Sequence, residues 1–249
     1  MSLATATAML HRTALYIVCS PRPRAGRTLL ARLLVDFFLM EDRPVAAFDF
    51  ASEEPGLIDF LPDYTFRADL AGIQGQVDLF DHLIEPDRTA KVVDLAPASF
   101  QQFFAVMRQI DFVAGARRRG IEVVTLFITA ADSASARGYA GLRSSLPEML
   151  LVPVYNEVVS RQAPRDNFPL SRTVSLPLWI PALPPLLHRY LQNPPFCFAT
   201  FRETPPQDIP LDIYMPLHRW MRRVFVQFRE LEVCLLMSDV RAALLRGVS

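Results

Sequence analysis

Apolar positions along this chain follow two alternating patterns. Short runs of mostly consecutive apolar residues, which are typical of buried strands, occupy residues 14–20, 45–50, 91–95, 121–129, 149–155 and 176–181. Between these runs, apolar residues recur every three or four positions, which predicts amphipathic helices over residues 28–40, 75–84, 97–119 and within 131–146. Residues 65–70 are predicted to form a short additional strand, and residues 211–243 a C-terminal helix.

This alternation predicts an α/β fold. Apolar strands separated by helices are typical of a parallel sheet that is buried on both faces. We therefore expect a three-layer α/β/α arrangement around a mostly parallel, doubly wound sheet. The polar, proline-containing segment 162–173 is expected to be a loop rather than a domain boundary. The expected organisation is an α/β domain over residues 1–190 and a helical extension over residues 191–249 that packs on the same domain.

The amino-acid composition gives no support to several classes of protein, including membrane-spanning, zinc-binding and disulfide-rich proteins. The 249 residues are 51% apolar and 21% charged with a formal net charge of zero, so no overall charge steers the chain to nucleic acid or to an acidic membrane. No apolar run approaches the roughly 18–20 residues that span a bilayer, and the three cysteines lack zinc or disulfide spacing. A cytoplasmic location is expected. Lys91 is the only lysine, which excludes lysine-dependent chemistry elsewhere in the chain.

The first predicted strand and helix are joined by the segment Ser20-Pro21-Arg22-Pro23-Arg24-Ala25-Gly26-Arg27-Thr28. A Walker A loop, GxxxxGK[ST], lies between a strand and a helix and wraps phosphate with its amides. Gly26 and Thr28 match that pattern, whereas Pro21 replaces the first glycine and Arg27 replaces the lysine. The segment is either a phosphate-binding loop with altered chemistry or an ordinary turn with exposed arginines.

Three polar residues accompany this loop at predicted strand ends. Asp49 and Asp94 each end a strand, and Asn156 follows another. Ligands of open parallel sheets bind beyond the carboxyl ends of the strands, where a carboxylate can hold Mg²⁺ directly or through water and an amide can pair with a nucleobase. Each residue alone could be a strand-end cap, but their joint placement favours a site.

The order of SPRPRAGRT, VAAFDF, KVVDLAP, LFIT and VPVYNEV resembles the deviant-Walker ParA/MinD family of P-loop ATPases. That family includes partition, division-site positioning and plasmid-mobilisation ATPases. The resemblance covers roughly residues 14–190 and rests on segment order more than on identity. The later segments LPLWIPALPPLLHRYLQNPPFCFAT and HRWMRRV look most like the mobilisation-type members. The resemblance implies a P-loop NTPase-like fold that binds ATP or ADP with Mg²⁺.

The resemblance also implies roles for individual residues. Arg27 would contact the β- and γ-phosphates, Thr28 would hold Mg²⁺ with Asp94 at the Walker B position, and Asn156 would lie near the base. Arg22 occupies the place of a signature lysine that reaches the partner's nucleotide in an ATP-sandwich dimer. The expected nucleotide-binding residues are Arg22, Ala25, Gly26, Arg27, Thr28 and Asn156; the expected Mg²⁺ ligands are Thr28 and Asp94; and the expected catalytic residues are Asp49 and Asp94.

Departures from the family pattern predict weak hydrolysis. Family members carry D-x-D after the second strand, and the second acid positions the attacking water. This chain has Asp49-Phe50-Ala51, with Glu53 or Glu54 as substitutes. We expect a degenerate ParA/MinD-like nucleotide-binding protein, a regulatory or positioning factor with weak or absent ATP hydrolysis. The alternatives are an active ATPase that uses arginines in the lysine roles, a nucleotide-free interaction module, and a nucleotide-dependent ligase or kinase on the same scaffold.

Two surface features bear on partners. Arg117, Arg118 and Arg119 end a predicted helix, where they either complement the helix dipole or contact DNA non-specifically. The C-terminal helix interleaves aromatic and basic residues such as Trp220 and Arg223. It is expected to pack on the domain, with a protein partner or a membrane surface as the less favoured alternatives. The resemblance adds the expectation of a homodimer.

Overall fold

A parallel sheet forms the centre of the fold in the computed structural model, which describes residues 13–50, 55–171, 176–205 and 209–246. Within these ranges, seven strands pair in parallel in the order β3-β2-β4-β1-β5-β6-β7. The strands are β1 (Thr13–Cys19), β2 (Val45–Asp49), β3 (Thr65–Arg67), β4 (Ala90–Leu95), β5 (Ile121–Ile128), β6 (Leu150–Asn156) and β7 (Leu178–Ile180).

Helices connect the strands and cover both faces of the sheet. They are α1 (Arg27–Met40), α2 (Leu57–Phe60), α3 (Gly72–Leu83), α4 (Phe100–Gln109), α5 (Phe112–Arg118), α6 (Ser133–Ser145), α7 (Pro185–Leu191), α8 (Phe198–Glu203) and α9 (Leu211–Arg246). Short 3₁₀ turns span Pro62–Tyr64, Pro97–Ser99 and Arg165–Asn167.

The sheet separates two hydrophobic cores because successive strand residues point to opposite faces. In β1, Tyr16 and Val18 pack with α1, α8 and α9, whereas Leu15 and Ile17 pack with α3, α4, α5 and α6. All four side chains are at most 1% exposed. A strand that is buried on both faces needs a nearly continuous apolar sequence, which explains the mostly consecutive apolar runs.

The predicted three-layer α/β/α fold with a parallel sheet and a C-terminal helix is confirmed. The prediction of one continuous helix over residues 97–119 is wrong. The chain forms a 3₁₀ turn and then two helices, and the break between α4 and α5 lies at Asp111, which has a left-handed φ of 51°. Because two apolar segments flank this break, periodicity alone did not reveal it.

The C-terminal helix α9 lies against the same face as α1. Leu217, Val224 and Phe228 belong to the core that contains α1, and the ring centroids of Phe228 and Phe37 are 5.6 Å apart. The indole N–H of Trp220 donates a hydrogen bond of 2.9 Å to the carbonyl of Pro181, just beyond β7. The first half of α9 is therefore buried against the sheet layer, while the division of the chain at residue 190 stays a prediction.

Candidate functional site

The loop formed by residues 21–26 connects the carboxyl end of β1 to the start of α1. β1 lies between β4 and β5, and the chain leaves β1 towards the β2 side of the sheet but leaves β5 towards β6 and β7. Such a change of direction opens a crevice beyond the carboxyl ends of the central strands, where open α/β sheets bind their ligands. The 21–26 loop therefore lies where this topology favours a ligand site.

Ser20 fixes the point at which the loop leaves the sheet. Its hydroxyl donates to the carbonyl of Ile128 at the end of β5, at 3.1 Å, and accepts a hydrogen bond of 3.3 Å from the amide of Arg22. Because Ser20 is fully buried, these bonds replace water for its hydroxyl and tie the loop to the neighbouring strand.

Two left-handed residues shape the loop before α1 begins. Arg24 has φ 54° and Gly26 has φ 92° and ψ 24°. A left-handed backbone costs a residue other than glycine about 1–3 kcal/mol, and such residues cluster at functional sites. Leu30 N–H donates to the Gly26 carbonyl at 3.1 Å, so α1 starts directly at the end of the loop.

The amides of the first turn of α1 face this loop without a side-chain cap from the described residues. Unsatisfied amides at a helix N-terminus carry a partial positive charge, and together they form a common binding place for phosphate. The loop and helix thus provide the backbone part of an anion site.

Asn156, at the end of β6, contacts the loop directly. Its Nδ2 donates to the Ala25 carbonyl at 3.0 Å, and its Oδ1 accepts from the Val158 amide at 3.0 Å. A Cβ atom on Gly26 would lie only 2.6 Å from Asn156 Nδ2, so the close contact requires glycine. Because both polar ends of the amide bond to protein, the predicted contact of Asn156 with a nucleobase stays a prediction, while its contact with the loop is direct.

Arg27, Thr28 and Asp94 form a compact polar cluster beside the loop. Arg27 Nη1 donates to Asp94 Oδ1 at 3.1 Å and to the Leu95 carbonyl at 2.6 Å, and Thr28 Oγ1 donates to Asp94 Oδ2 at 2.6 Å. The Asp94 side chain is completely buried and that of Arg27 is 12% exposed. Arg27 Nε is buried and has no hydrogen-bond partner among the described residues. Both oxygens of the predicted Walker B carboxylate are thus bound by the two residues at the start of α1.

Burial controls the protonation of this cluster. It raises the pKa of Asp94 to about 6, against the opposing effects of the Arg27 charge and the Thr28 hydrogen bond, and the nearby Asp49 adds to the increase. Burial also raises the pKa of the Cys19 thiol at the end of β1, against the smaller lowering effect of Arg27. At neutral pH the cluster is therefore an ion pair beside a neutral thiol.

Asp49 and Arg22 lie at the same edge of the sheet as the Arg27–Thr28–Asp94 cluster. Each of them also bonds to a residue outside that cluster. Asp49 is the register neighbour of Asp94 on β2, is 3% exposed, and its Oδ2 accepts from the Ile58 amide at 3.0 Å at the start of α2. Arg22 is exposed and lies 3.4 Å from Asp132 Oδ2, in front of α6. Ala51, which stands where the family carries the water-positioning acid, and the proposed substitutes Glu53 and Glu54 lie outside the described residues.

A second polar cluster, which sequence reasoning missed, is buried further along α1. Arg32 is 3% exposed and donates from Nη1 to the Leu191 carbonyl at 2.8 Å, while its guanidinium carbon lies 3.7 Å from the centroid of the Phe60 ring. Asp36 is fully buried and accepts hydrogen bonds from Cys197 Sγ at 2.9 Å and from the Ala199 amide at 3.0 Å.

This Arg32–Asp36 cluster connects α1 by hydrogen bonds to the segment that contains α7 and α8. Burial lowers the pKa of Arg32 to about 10 and raises that of Asp36, so each charge costs desolvation energy. An arginine and an aspartate four residues apart inside an otherwise apolar helix were the signal in the sequence, since such charges are rarely buried without partners.

The arginines predicted as a DNA-contacting patch lie at the opposite edge of the sheet. They end α5 directly before β5 begins, so they are far along the strand from its carboxyl end. Arg117 Nη1 is 3.3 Å from Glu148 Oε2, and Arg118 Nη1 is 4.0 Å from Asp111 Oδ2. Contact of this patch with DNA stays a prediction, and it is separate from the loop.

Comparison with known protein families found no matching family model, and comparison with curated proteins found no matching sequence. Among the described residues, no three His, Cys, Asp or Glu side chains converge as a metal-binding set. None of the helices in the described ranges has both the length and the apolar character needed to cross a membrane. The geometry of the loop and of the Arg27–Thr28–Asp94 cluster is therefore the basis for assigning a function.

Proposed function

We propose that this chain is a ParA/MinD-like nucleotide-binding protein with weak or absent ATP hydrolysis that acts as a regulatory or positioning factor. The observation that carries the proposal is the hydrogen bond of 2.6 Å between Thr28 and Asp94 beside the left-handed Gly26. It brings the last residue of the loop segment together with the acid at the end of the adjacent parallel strand, as the Walker pattern in the sequence predicts.

Several features suit a phosphate group at this place. Among the described residues, no side chain caps the first turn of α1, which therefore offers its amides, and none accepts a hydrogen bond from the buried Nε of Arg27, which is a further donor. The left-handed Gly26 allows close approach. Arginine's planar fork binds phosphate oxygens in a bidentate way. ATP or ADP would be held by the amides of residues 25–28 and by Arg27.

The surroundings of the loop support weak hydrolysis. An attacking water needs a carboxylate that accepts its proton, and Asp94 is held by Arg27 and Thr28, while Asp49 binds the amide of Ile58. Arg22, in the place of the signature lysine, is exposed and paired with Asp132 of the same chain. The proposed function is consequently one of binding and release rather than rapid turnover.

A thermal unfolding titration tests this proposal. ATP, ADP and GTP are added to the full chain, each with Mg²⁺ and with EDTA, and adenosine serves as the control ligand without phosphate. At a nucleotide concentration of ~100 times Kd, binding adds about 2.7 kcal/mol to the free energy of unfolding, or about 5–11 °C in Tm for a chain of this size. Adenosine should leave Tm almost unchanged. A flat response to all three nucleotides in both buffers would refute the proposal.

A second candidate function is a nucleotide-free interaction module. It is favoured by an apolar groove of about 600 Å³ between β7 and the middle of α9, which includes Leu176, Val226 and Val233. These three side chains are 65%, 42% and 57% exposed, and exposed apolar patches mark interaction sites. The same titration separates the two functions, because an interaction module would keep its Tm in every nucleotide.

A further inference from the structure

We propose that the loop binds the phosphates of its nucleotide without a divalent cation, with the Arg27 guanidinium in the place of the metal. This inference rests on the proposed function and specifies the form of its ligand. Mg²⁺ is the ion that the family resemblance implies, and its expected ligands here are Thr28 and Asp94.

The donor set does not fit Mg²⁺. This ion demands a near-octahedral shell of oxygen atoms at about 2.0–2.1 Å and gives up its waters reluctantly. Asp94 Oδ1 is held by the Arg27 guanidinium at 3.1 Å, and Asp94 Oδ2 is held by the Thr28 hydroxyl at 2.6 Å. An ion bound to either oxygen of this completely buried carboxylate would have to lie next to, or displace, a cationic group that is already there.

The charge of that group is permanent. An arginine stays protonated at every physiological pH, whereas a lysine can lose its proton on burial. Arg27 is fixed by a second acceptor as well, because its Nη1 also donates to the Leu95 carbonyl at 2.6 Å. The guanidinium therefore remains the counter-charge of Asp94 and does not leave the carboxylate free for a metal.

One donor of Arg27 remains for a ligand. Arg27 Nε is buried without a partner among the described residues, and buried N–H groups are almost always satisfied. A phosphate oxygen at the amides of α1 would supply the missing acceptor. The same guanidinium would then join the carboxylate to the phosphate, which is the bridging role that a divalent cation has in Walker-type sites.

Calorimetric titration of ADP and ATP into the full chain tests this inference. Parallel titrations use excess Mg²⁺ and excess EDTA, and the expected Kd values differ by less than about tenfold, or 1.4 kcal/mol. Binding that occurs only with Mg²⁺, or that Mg²⁺ tightens by more than tenfold, would overturn the inference and leave the proposed function intact. An absence of binding in both buffers would overturn both.

The variant Arg27→Lys provides a second readout. A lysine replaces the planar fork with a point charge, so Asp94 Oδ1 loses its fixed partner and Mg²⁺ can bind. We expect nucleotide binding by this variant to become dependent on Mg²⁺ by at least about tenfold. The matched control, Arg117→Lys at the opposite edge of the sheet, should keep the behaviour of the natural protein. An Arg27→Lys protein as indifferent to Mg²⁺ as the control would overturn the role assigned to Arg27.

Discussion

The substitution Gly26→Ala tests whether the loop has the geometry on which the proposed function depends. Gly26 has φ 92°, and an added Cβ would lie 2.6 Å from Asn156 Nδ2, closer than non-bonded atoms approach. Asn156 would have to move, and its hydrogen bond to the Ala25 carbonyl would break. The perturbation therefore has a backbone part and a packing part.

The backbone part and the packing part are of similar size. The left-handed backbone costs alanine about 1–3 kcal/mol, and displacing the buried Asn156 amide from its partner costs about 1–3 kcal/mol more. The matched control is Gly120→Ala, because Gly120 has φ 75° and no atom of the described residues lies within 4 Å of an added Cβ. It should show the backbone cost alone, so Gly26→Ala should be more destabilising than Gly120→Ala by about 1–3 kcal/mol.

Urea-induced unfolding of both variants measures these free energies, from the midpoint and the slope of each transition. Gly26→Ala is also made in an Asn156→Ala background, where the clash is absent. There its cost should fall to that of Gly120→Ala, which gives a coupling energy between residues 26 and 156. Equal costs for the two glycine substitutions, or a cost of Gly26→Ala that is unchanged without Asn156, would refute the reasoning.

Three further predictions concern the buried charges. Because burial raises the pKa of Asp94 from 3.8 to about 6, the folded protein binds its proton more tightly than the unfolded chain, so the contribution of Asp94 to the free energy of unfolding should fall by about 2 kcal/mol as pH rises from about 4 to about 6. Asp94→Asn should reduce this slope in pH-dependent urea unfolding, and an unchanged slope would contradict the assignment. Arg32→Met, which removes the charged hydrogen bond to the Leu191 carbonyl, should lower the free energy of unfolding by about 1.5–3 kcal/mol. The Arg117→Met control, at a side chain that is 49% exposed, should cost about 1 kcal/mol or less, and equal costs would contradict the account of the buried cluster. Arg27→Met should weaken ADP binding in calorimetry by about tenfold or more, since a hydrogen bond to a charged group contributes about 1.5–3 kcal/mol; an unchanged Kd would exclude Arg27 as a phosphate ligand.

The apolar runs were sufficient to predict the class of fold. A strand such as β1, buried on both faces, must be apolar at almost every position, and α1 must repeat its apolar residues at helical spacing. The order of the strands could not be predicted in the same way, because the runs of β4 and β5 are equally apolar and do not encode which neighbour each strand takes. The short helices α2, α7 and α8 were also missed, since each is shorter than two or three repeats of a helical pattern.

The candidate site could be predicted only in part. Strand ends identified Asp49, Asp94 and Asn156 as residues at one edge of the sheet, and the structure places all three there. Their partners depend on distances between segments far apart in sequence. The contact of Asn156 with Ala25 spans 131 residues, and that of Arg27 with Asp94 spans 67. Spacing along the chain therefore indicated the candidate site. Only the folded structure shows that Asp94 accepts hydrogen bonds from both Arg27 and Thr28.

Hydrogen–deuterium exchange with and without ATP tests the central claim most directly, because it locates the ligand on the chain. Peptides that cover residues 20–30 contain the amides proposed to bind phosphate. We predict that saturating ATP slows exchange in these peptides and leaves the peptides of α5, at the opposite edge of the sheet, unchanged. Exchange in residues 20–30 that is the same with and without saturating ATP would contradict the claim, even if ATP raised the Tm of the protein.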